Sequence, residues 1–256
     1  MSQAALVQTP GVRETVSPEE WKMRVDLAAC YRLVAHFGWD DLIFTHISAR
    51  VPGPEHHFLI NPYGMMFDEI TASSLVKVDM DANIVMDSPY GMNPAGFTIH
   101  SAIHAARPEV MCVLHVHTDD GVAVSCMEEG LMPLNQLSLA VRGDIAYHDY
   151  EGIALNWDER ERLVADLGDK GMMILRSHGT LSCATSVART FLQIYFLERA
   201  CTTQIRALTG GRKLVVPPQE VQDVVTQQAQ GIGMTANLAW GALLRMLDRK
   251  NPGYAD

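Results

Sequence analysis

Two apolar segments of this 256-residue chain each lead into histidine, and this pattern constrains the fold more than any other feature. The first runs over 110–117 and carries His115 and His117 at its end, and the second runs over 172–175 and leads to His178. Short apolar runs of this kind are typical of buried strands, in which residues i and i+2 face the same side of the sheet. The sequence therefore predicts two buried strands, with the imidazoles of His115 and His117 side by side.

These histidines predict a metal site if the two strands end close together in the sheet. Three imidazoles would then converge on one point, which is the ligand count of an open catalytic zinc site. Gly179, directly after His178, permits a sharp turn or a close approach of the backbone to a ligand. The residues alone favour a metal-dependent enzyme as the leading hypothesis, and histidines with a structural or solvated role are the alternative.

Composition argues against several classes of function. The net charge of −10 disfavours nucleic acid or an anionic membrane as the main partner, because both need a basic surface. No apolar stretch approaches the ~20 residues that span a bilayer, and the first ten residues lack the pattern of a signal peptide. The five scattered cysteines form no Cys-x-x-Cys pair and are typical of buried thiols in a reducing compartment. We therefore expect a cytoplasmic protein that binds a small molecule.

The order of the predicted elements indicates a single α/β domain over 17–256, preceded by a flexible tail over 1–16. Ser17, Pro18 and Glu20 have the spacing of a helix start with a capping box, and Gly38 marks the end of that helix. The other predicted elements are strands over 46–51, 57–60, 75–79, 83–86 and 144–148, helices over 97–106 and 158–167, a helix opening at Thr118, and a largely helical segment from 186 onward with breaks at Pro217-Pro218 and at glycines 231 and 233.

Three stretches together resemble one known family. They are residues 97–117, the loop Leu59-Ile-Asn-Pro-Tyr-Gly64, and Leu175-Arg-Ser-His178-Gly179 followed by a long helix. This pattern is similar to that of the class II aldolase/adducin family, and closest to its adducin-like branch. The resemblance implies a three-layer α/β/α class II aldolase-like fold with a central, mostly antiparallel sheet. It also implies one divalent metal ion per chain on His115, His117 and His178, with Zn expected and Mn or Fe as alternatives, and a homotetramer with sites between subunits.

The sequence departs from the sugar-phosphate aldolases of this family at positions that serve proton transfer and phosphate binding. In those enzymes a glutamate nineteen positions before the first ligand histidine is a metal ligand and general base, and here that position is Gly96. Two phosphate-binding serines correspond to Pro94 and Ala95, and a phosphate-binding threonine to Tyr63. The asparagine of the family's Gly-Asn-x-Ser turn is His46. A standard sugar-phosphate aldolase is therefore not expected.

These replacements define the predicted site. His46 and Tyr63 bring new hydrogen-bonding groups and are the predicted catalytic residues. The predicted substrate-binding residues are Ser48, Asn61, Gly64 and Gly96. The general base stays open between a water molecule, His46, Tyr63 and a residue of a neighbouring subunit. His100 and His104 lie four apart on a predicted helix, either as a second metal pair or, by base rates, as one buried histidine and one at the edge of the pocket.

Three functions follow as hypotheses. The first is a metal-dependent lyase that cleaves a carbon–carbon bond of a non-phosphorylated oxo- or hydroxy-acid, with the ion as a Lewis acid. Decarboxylation suits the missing base, because CO₂ leaves without prior removal of a proton, and retro-aldol cleavage is the alternative. The second hypothesis is a non-catalytic, adducin-like binding or scaffold module. The third is an Fe²⁺-dependent oxygenase, because three histidines leave coordination positions open for oxygen.

Overall fold

The computed structural model describes residues 11–153, 156–229 and 235–256. These residues contain a seven-stranded sheet with the order β3-β2-β1-β4-β7-β6-β5. The strands are β1 His46–Arg50, β2 Phe58–Ile60, β3 Val76–Val78, β4 Cys112–Val116, β5 Ile145–His148, β6 Met172–Leu175 and β7 Gly179–Ala184. Every neighbouring pair is antiparallel except β5 and β6, which are parallel. The predicted α/β class with a mostly antiparallel central sheet is confirmed.

Helices cover both faces of this sheet. They are α1 Val12–Thr15, α2 Pro18–His36, α3 Pro94–Ala106, α4 Asp119–Ser125, α5 Gln136–Val141, α6 Glu159–Leu167, α7 Val187–Leu208, α8 Gln219–Ala229 and α9 Ala236–Lys250. Alternation along β4 sends Leu114 into the core shared with α2, α7 and α9, and Val113 into the core shared with α3 and α6. This arrangement gives the expected three layers. No helix in the described part of the chain is long and apolar enough to cross a membrane.

The first long helix begins and ends where the sequence predicts. Ser17 accepts a hydrogen bond from the backbone of Glu20 at 3.1 Å, and Gly38 has a φ of +69°. The capping box itself is not made, because the Glu20 carboxylate instead pairs with Arg24 at 3.0 Å and Lys77 at 2.7 Å. The prediction of a reciprocal cap was therefore wrong. Two cationic partners hold this buried carboxylate more strongly than one backbone amide would.

Several element boundaries differ from the predictions. Strand β7 lies within a segment for which no strand was predicted, because its sequence alternates small polar residues with Leu181 and Cys183 and so lacks an apolar run. Helix α3 begins at Pro94 rather than at residue 97, and α5 was not predicted. Residues 12–15 of the predicted tail form the short helix α1. Residues 1–10 of that tail and the predicted break at glycines 231 and 233 lie outside the described residues.

Candidate metal centre

Strand pairing brings the three predicted ligand histidines together. His115 lies on β4, His117 is the first residue after that strand, and His178 lies in the turn between β6 and β7. Because β7 pairs with β4, Thr180 stands opposite Val116 and carries His178 to the end of β4. The ring centroids of the three histidines are 4.6, 4.7 and 4.9 Å apart. One ligand atom from each lies within 4.8 Å of the others, so the convergence that the sequence predicts is present.

Gly179 allows β7 to approach β4 this closely. A Cβ atom at this position would lie 2.4 Å from the backbone oxygen of Val116. Backbone cannot move aside without breaking the ladder between the two strands, so residue 179 must lack a side chain. The sequence predicted a sharp turn or a close approach to a ligand at this glycine, and the structure shows a close approach of backbone to backbone.

Hydrogen bonds fix the direction in which two of the histidines present their lone pairs. Nδ1 of His115 lies 2.9 Å from the carbonyl oxygen of Thr180, and Nδ1 of His117 lies 3.1 Å from a carboxylate oxygen of Asp41. Both oxygens are acceptors, so we assign a hydrogen to Nδ1 of each ring, the tautomer that leaves Nε2 available to a metal ion. The two Nε2 atoms are 2.9 Å apart and would then face each other with lone pairs. This arrangement is repulsive in itself and fits a cation between them.

The carboxylate that orients His117 is that of Asp41. Asp119 and Asp120 lie much nearer to His117 in the sequence, where they could either orient a ligand histidine or cap a helix. In the structure they open α4, whose N-cap is Thr118, and Thr118 accepts a hydrogen bond from Gly121 at 2.9 Å. Asp41 lies far from these residues in the chain, and nothing in its local sequence marks it as a partner of a histidine.

A buried carboxylate supports the metal centre from the side of α7. The hydroxyl groups of Thr118 and Thr180 both donate to Glu198, which is 1% exposed. Thr118 directly follows His117, and the carbonyl of Thr180 holds His115. Burial raises the pKa of Glu198 to about 7. Sequence reasoning missed this residue, since it stands in the middle of a helix with no motif around it.

The histidines open into a cavity of about 430 Å³. Its other lining residues are Asp41, Phe44, Thr45, His46, Asn93, Gly96, Ile99, Val122, Tyr150, Gly152, Ile153 and Ser177. None of the described lining residues is lysine or arginine. The cavity thus offers imidazoles, the hydroxyl groups of Thr45, Tyr150 and Ser177, the amide of Asn93 and apolar surface, and the charged side chain among these residues is that of Asp41.

The ring of His46 lies against the backbone of Gly96. His46 stands opposite His115 on the neighbouring strand β1, and its ring lines the cavity. A Cβ atom on Gly96 would lie only 2.3 Å from Nδ1 of His46. Burial and the nearby His117 lower the pKa of His46 to about 3, so the ring is neutral at neutral pH. The His46 ring therefore fills the space into which any side chain at residue 96 would project.

Ser48 lies behind His46 rather than in the cavity. Its hydroxyl is 2.7 Å from Nδ1 of His100 and 2.8 Å from Nε2 of His104, and all three residues are buried. Neither histidine lies at the cavity edge, so the expectation of one at that place was wrong. They do not form a metal pair with each other, since the hydroxyl of Ser48 stands between them.

The loop 59–64 does not reach the cavity within one chain. Asn61 is buried, and its side chain accepts a hydrogen bond from Tyr31 at 2.9 Å. Tyr63 is 42% exposed, and Gly64 is exposed as well. Neither Tyr63 nor Gly64 is among the described residues that line the cavity. The structure brings together His46 and Gly96 of the predicted catalytic and binding residues, and roles for Tyr63, Asn61 and Gly64 stay predictions.

Comparison with known proteins agrees with this geometry. The family model described as "Class II Aldolase and Adducin N-terminal domain" matches residues 25–205, which contain the sheet and all three histidines. The chain belongs to the class II aldolase and adducin family. The resemblance drawn from the sequence motifs is confirmed.

Relatives within the family carry two kinds of name. A Caulobacter vibrioides protein named "Putative aldolase class 2 protein" is 60% identical, over 97% of this chain and 97% of its own length. Alpha-adducin of Mus musculus is 42% identical over 91% of this chain, but this chain spans 33% of that adducin.

Solved structures confirm the class II aldolase fold. An aldolase II superfamily protein from Pseudomonas syringae is 55% identical with a TM-score of 0.93, over 96% of this chain and 99% of that one. L-fuculose 1-phosphate aldolase from Glaciozyma antarctica PI12 is 26% identical with a TM-score of 0.80, over 95% of this chain and 96% of that enzyme. The fold is thus shared by proteins named as aldolases and by the N-terminal part of adducins.

Proposed function

We propose that this member of the family is a divalent-metal-dependent lyase that cleaves a carbon–carbon bond of a non-phosphorylated oxo- or hydroxy-acid. The observation that carries the proposal is the pair of facing Nε2 atoms of His115 and His117, 2.9 Å apart beside His178. This donor set fits Zn²⁺, with Mn²⁺ and Fe²⁺ as alternatives. When bound, such an ion supplies Lewis-acid stabilisation of the negative charge on a carbonyl or enolate oxygen.

The cavity favours a substrate without a phosphate group. In the sugar-phosphate aldolases of the family, two serines and a threonine serve the phosphate, and here those positions are Pro94, Ala95 and Tyr63. The described lining residues also include no lysine or arginine that could bind a phosphate in their place. Phe44, Tyr150 and Ile153 line the cavity and are exposed at its mouth, which suits an apolar substituent on the substrate. The relative from Glaciozyma antarctica is named for a phosphorylated sugar. We propose that this chain performs the same class of bond cleavage on an acid that carries no phosphate group.

His46 is the residue that we propose for proton transfer in the cavity. Its ring fills the space at Gly96, the position of the family's catalytic glutamate, and it lies across the strand pair from His115. A neutral imidazole offers one nitrogen that accepts a proton. We expect His46→Ala to retain the metal and to lower kcat by roughly a hundredfold or more, the usual contribution of a general acid or base. Retained turnover in a metal-loaded His46→Ala protein would contradict this role.

Elemental analysis of untagged protein tests the metal site. We expect about one Zn, Mn or Fe per chain, as in other catalytic three-histidine sites, and loss of this metal in a His115→Ala/His117→Ala variant. The matched control is His56→Ala/His57→Ala, which changes two adjacent histidines outside the cavity. Absence of metal after incubation of the wild type with Zn²⁺ and Mn²⁺ would reject the proposal.

The reaction class is tested with the metal-loaded protein. A panel of 2-oxo, 4-hydroxy-2-oxo and aromatic hydroxy acids is assayed for aldehyde, oxo-acid and CO₂ release. Metal-dependent release of any of these products supports a lyase. Oxygen uptake by the Fe²⁺-loaded protein would replace this proposal with the oxygenase hypothesis.

A binding module is the second candidate, and the kinship with alpha-adducin favours it. In that case the fold and the histidine cluster would serve a structural purpose, and the replacement of the family's glutamate by Gly96 would follow from lost catalysis. A protein that binds metal stoichiometrically but turns over no member of the panel would favour this candidate over the lyase.

A further inference from the structure

Thr45 adopts a backbone conformation that its side chain disfavours. Its φ is +62°, in the left-handed region that β-branched residues rarely enter. The residue stands directly before β1, between the exposed Phe44 and the buried His46. Glycine would adopt this conformation without strain. The presence of a threonine instead indicates a role for its side chain.

The Thr45 hydroxyl group is buried, lines the cavity and lacks a partner. The residue is 4% exposed, and Oγ1 makes no hydrogen bond with the described residues. The same is true of both ring nitrogens of His46 and of Nε2 of His100. Buried polar atoms nearly always have partners, so the unpaired atoms of Thr45 and His46, which both line the cavity, indicate a polar group that occupies it when ligand is bound.

A chain of hydrogen bonds fixes the tautomers of the two histidines behind His46. Nδ1 of His104 lies 3.2 Å from the carbonyl oxygen of Val110, so we assign its hydrogen to Nδ1 and a lone pair to Nε2. Ser48 must then donate to His104 and accept from Nδ1 of His100. Burial lowers the pKa of both histidines, so both rings are neutral. His100 is therefore left with a lone pair on its unpartnered Nε2.

The ring of His46 packs against that of His100. Its ring centroid is 4.3 Å from that of His100. A neutral imidazole has one N–H and one lone pair. The backbone of Thr45 and Gly96 lies within reach of the N–H of His46, and the remaining lone pair is then left for the cavity that Thr45 and His46 both line.

From this arrangement we propose that Thr45 and His46 form a subsite for an alcohol group of the substrate. An alcohol donates to the lone pair of His46 and accepts from the hydroxyl group of Thr45. A carboxylate or a phosphate has only acceptors and would face the His46 lone pair without a cationic side chain among the described lining residues. The inference rests on the proposed function, in which His115, His117 and His178 would hold a divalent ion that stabilises the carbonyl or enolate oxygen of the substrate.

The subsite selects retro-aldol cleavage of a hydroxy-oxo acid over decarboxylation. The alcohol proton passes to the ring nitrogen of His46, and the C–O bond becomes the C=O bond of an aldehyde. The adjacent carbon–carbon bond breaks, and its electron pair moves to the oxo-acid fragment as an enolate. The enolate then takes the proton back from His46 and leaves as the second carbonyl product.

A matched pair of unreactive acids tests the subsite by binding. 2,4-Dihydroxybutanoate and 2-hydroxybutanoate differ only in the second alcohol group, and neither has the carbonyl that cleavage requires. Calorimetric titration of the Zn²⁺-loaded wild type should show about tenfold tighter binding of the dihydroxy acid, the effect of one to two net hydrogen bonds. Thr45→Ser should retain this preference. Thr45→Val, which keeps the shape of the residue and removes the hydroxyl group, should reduce it to less than about threefold.

The outcomes separate this subsite from the proposed function. An unchanged preference in Thr45→Val, equal affinities in the wild type, or no binding of either acid to a Zn²⁺-loaded protein overturns the subsite and leaves the metal site intact. Failure of the protein to bind Zn²⁺ rejects the proposed function and the subsite with it.

A second measurement tests the hydrogen-bond chain without any ligand. Long-range ¹H–¹⁵N correlation spectra of histidine-labelled protein distinguish Nδ1–H from Nε2–H rings. We expect Nδ1–H for both His100 and His104, and Ser48→Ala should change the His100 pattern. An Nε2–H ring at either histidine in the wild type would overturn the assigned direction of the chain.

Discussion

At the scale of single residues, the left-handed backbone at Thr45 has a stability consequence that can be measured apart from function. A left-handed conformation costs a residue with a Cβ atom roughly 1–2 kcal/mol relative to glycine. We therefore expect Thr45→Gly to be more stable than Thr45→Ala by about 1 kcal/mol in urea unfolding. In regular strands and helices alanine is the more stable of the two.

A second left-handed residue provides the control. Ala82 has a φ of +68° in the turn after β3, outside the residues that line the cavity. Ala82→Gly should stabilise the protein to a similar extent and leave ligand binding unchanged. An alanine at residue 45 that is as stable as a glycine would argue against backbone strain there.

At the scale of elements, the junction of β4 and β7 determines the metal centre. Gly179→Ala would place a methyl group 2.4 Å from the carbonyl of Val116. The strands must separate to relieve this contact, which carries His178 away from His115. We expect a destabilisation of about 2 kcal/mol or more, in the range of overpacked core sites, together with weaker Zn²⁺ binding.

A glycine substitution away from the β4–β7 junction distinguishes a loss of Zn²⁺ binding from a general loss of stability. Gly168→Ala strains a glycine with a φ of +52° at the end of α6, distant in the fold from the histidines. It should lower the free energy of unfolding without weakening Zn²⁺ binding. Equal Zn²⁺ affinity in wild type and Gly179→Ala would show that the β4–β7 approach does not control the site.

The contact between α7 and the two strands through Glu198 predicts a pH effect. The pKa of this carboxyl group is raised from 4.5 to about 7 in the folded protein, so its stabilising contribution is present below pH 4.5 and is lost as the pH rises through 7. The free energy of unfolding of the wild type, minus that of Glu198→Gln, should fall by about 3 kcal/mol between pH 4.5 and 8. A constant difference over this range would contradict the raised pKa.

At the scale of the whole molecule, the concentration of buried neutral histidines predicts acid lability. The pKa values of His46 and His104 are lowered to about 3, that of His178 to about 4, and those of His100 and His115 are well below 6.5, each mainly through burial. A lowered folded pKa gives stability that is present above the unfolded value and is lost as the pH falls. Each such histidine contributes about 1.4 kcal/mol per pH unit within that window.

Urea unfolding of chelator-treated protein at pH 8, 6 and 5 measures this effect. The free energy of unfolding should fall steeply below pH 6.5, and the fall should be shallower in His104→Gln. A flat profile between pH 6.5 and 5 would mean that these rings are protonated in the folded protein. The family resemblance also implies a homotetramer, and light scattering of the native protein without urea measures this mass.

The sequence by itself determined the histidine pattern, the first long helix and the α/β class. These features are local, because apolar periodicity and helix caps act within a few residues. His115 and His117 share a face of one strand whatever the rest of the chain does. The motifs around them were also sufficient to identify the family, which the comparison with known proteins confirmed.

Tertiary structure alone decided which residues meet these histidines. Asp41, Thr45 and Glu198 come from separate parts of the chain, and each depends on a strand or helix register that no local pattern encodes. Strand β7 was missed because pairing with β4 and β6, rather than its own composition, makes it a strand. The physical reason is that burial and hydrogen-bond partners are properties of the packed molecule, while the sequence states only what each residue is able to offer.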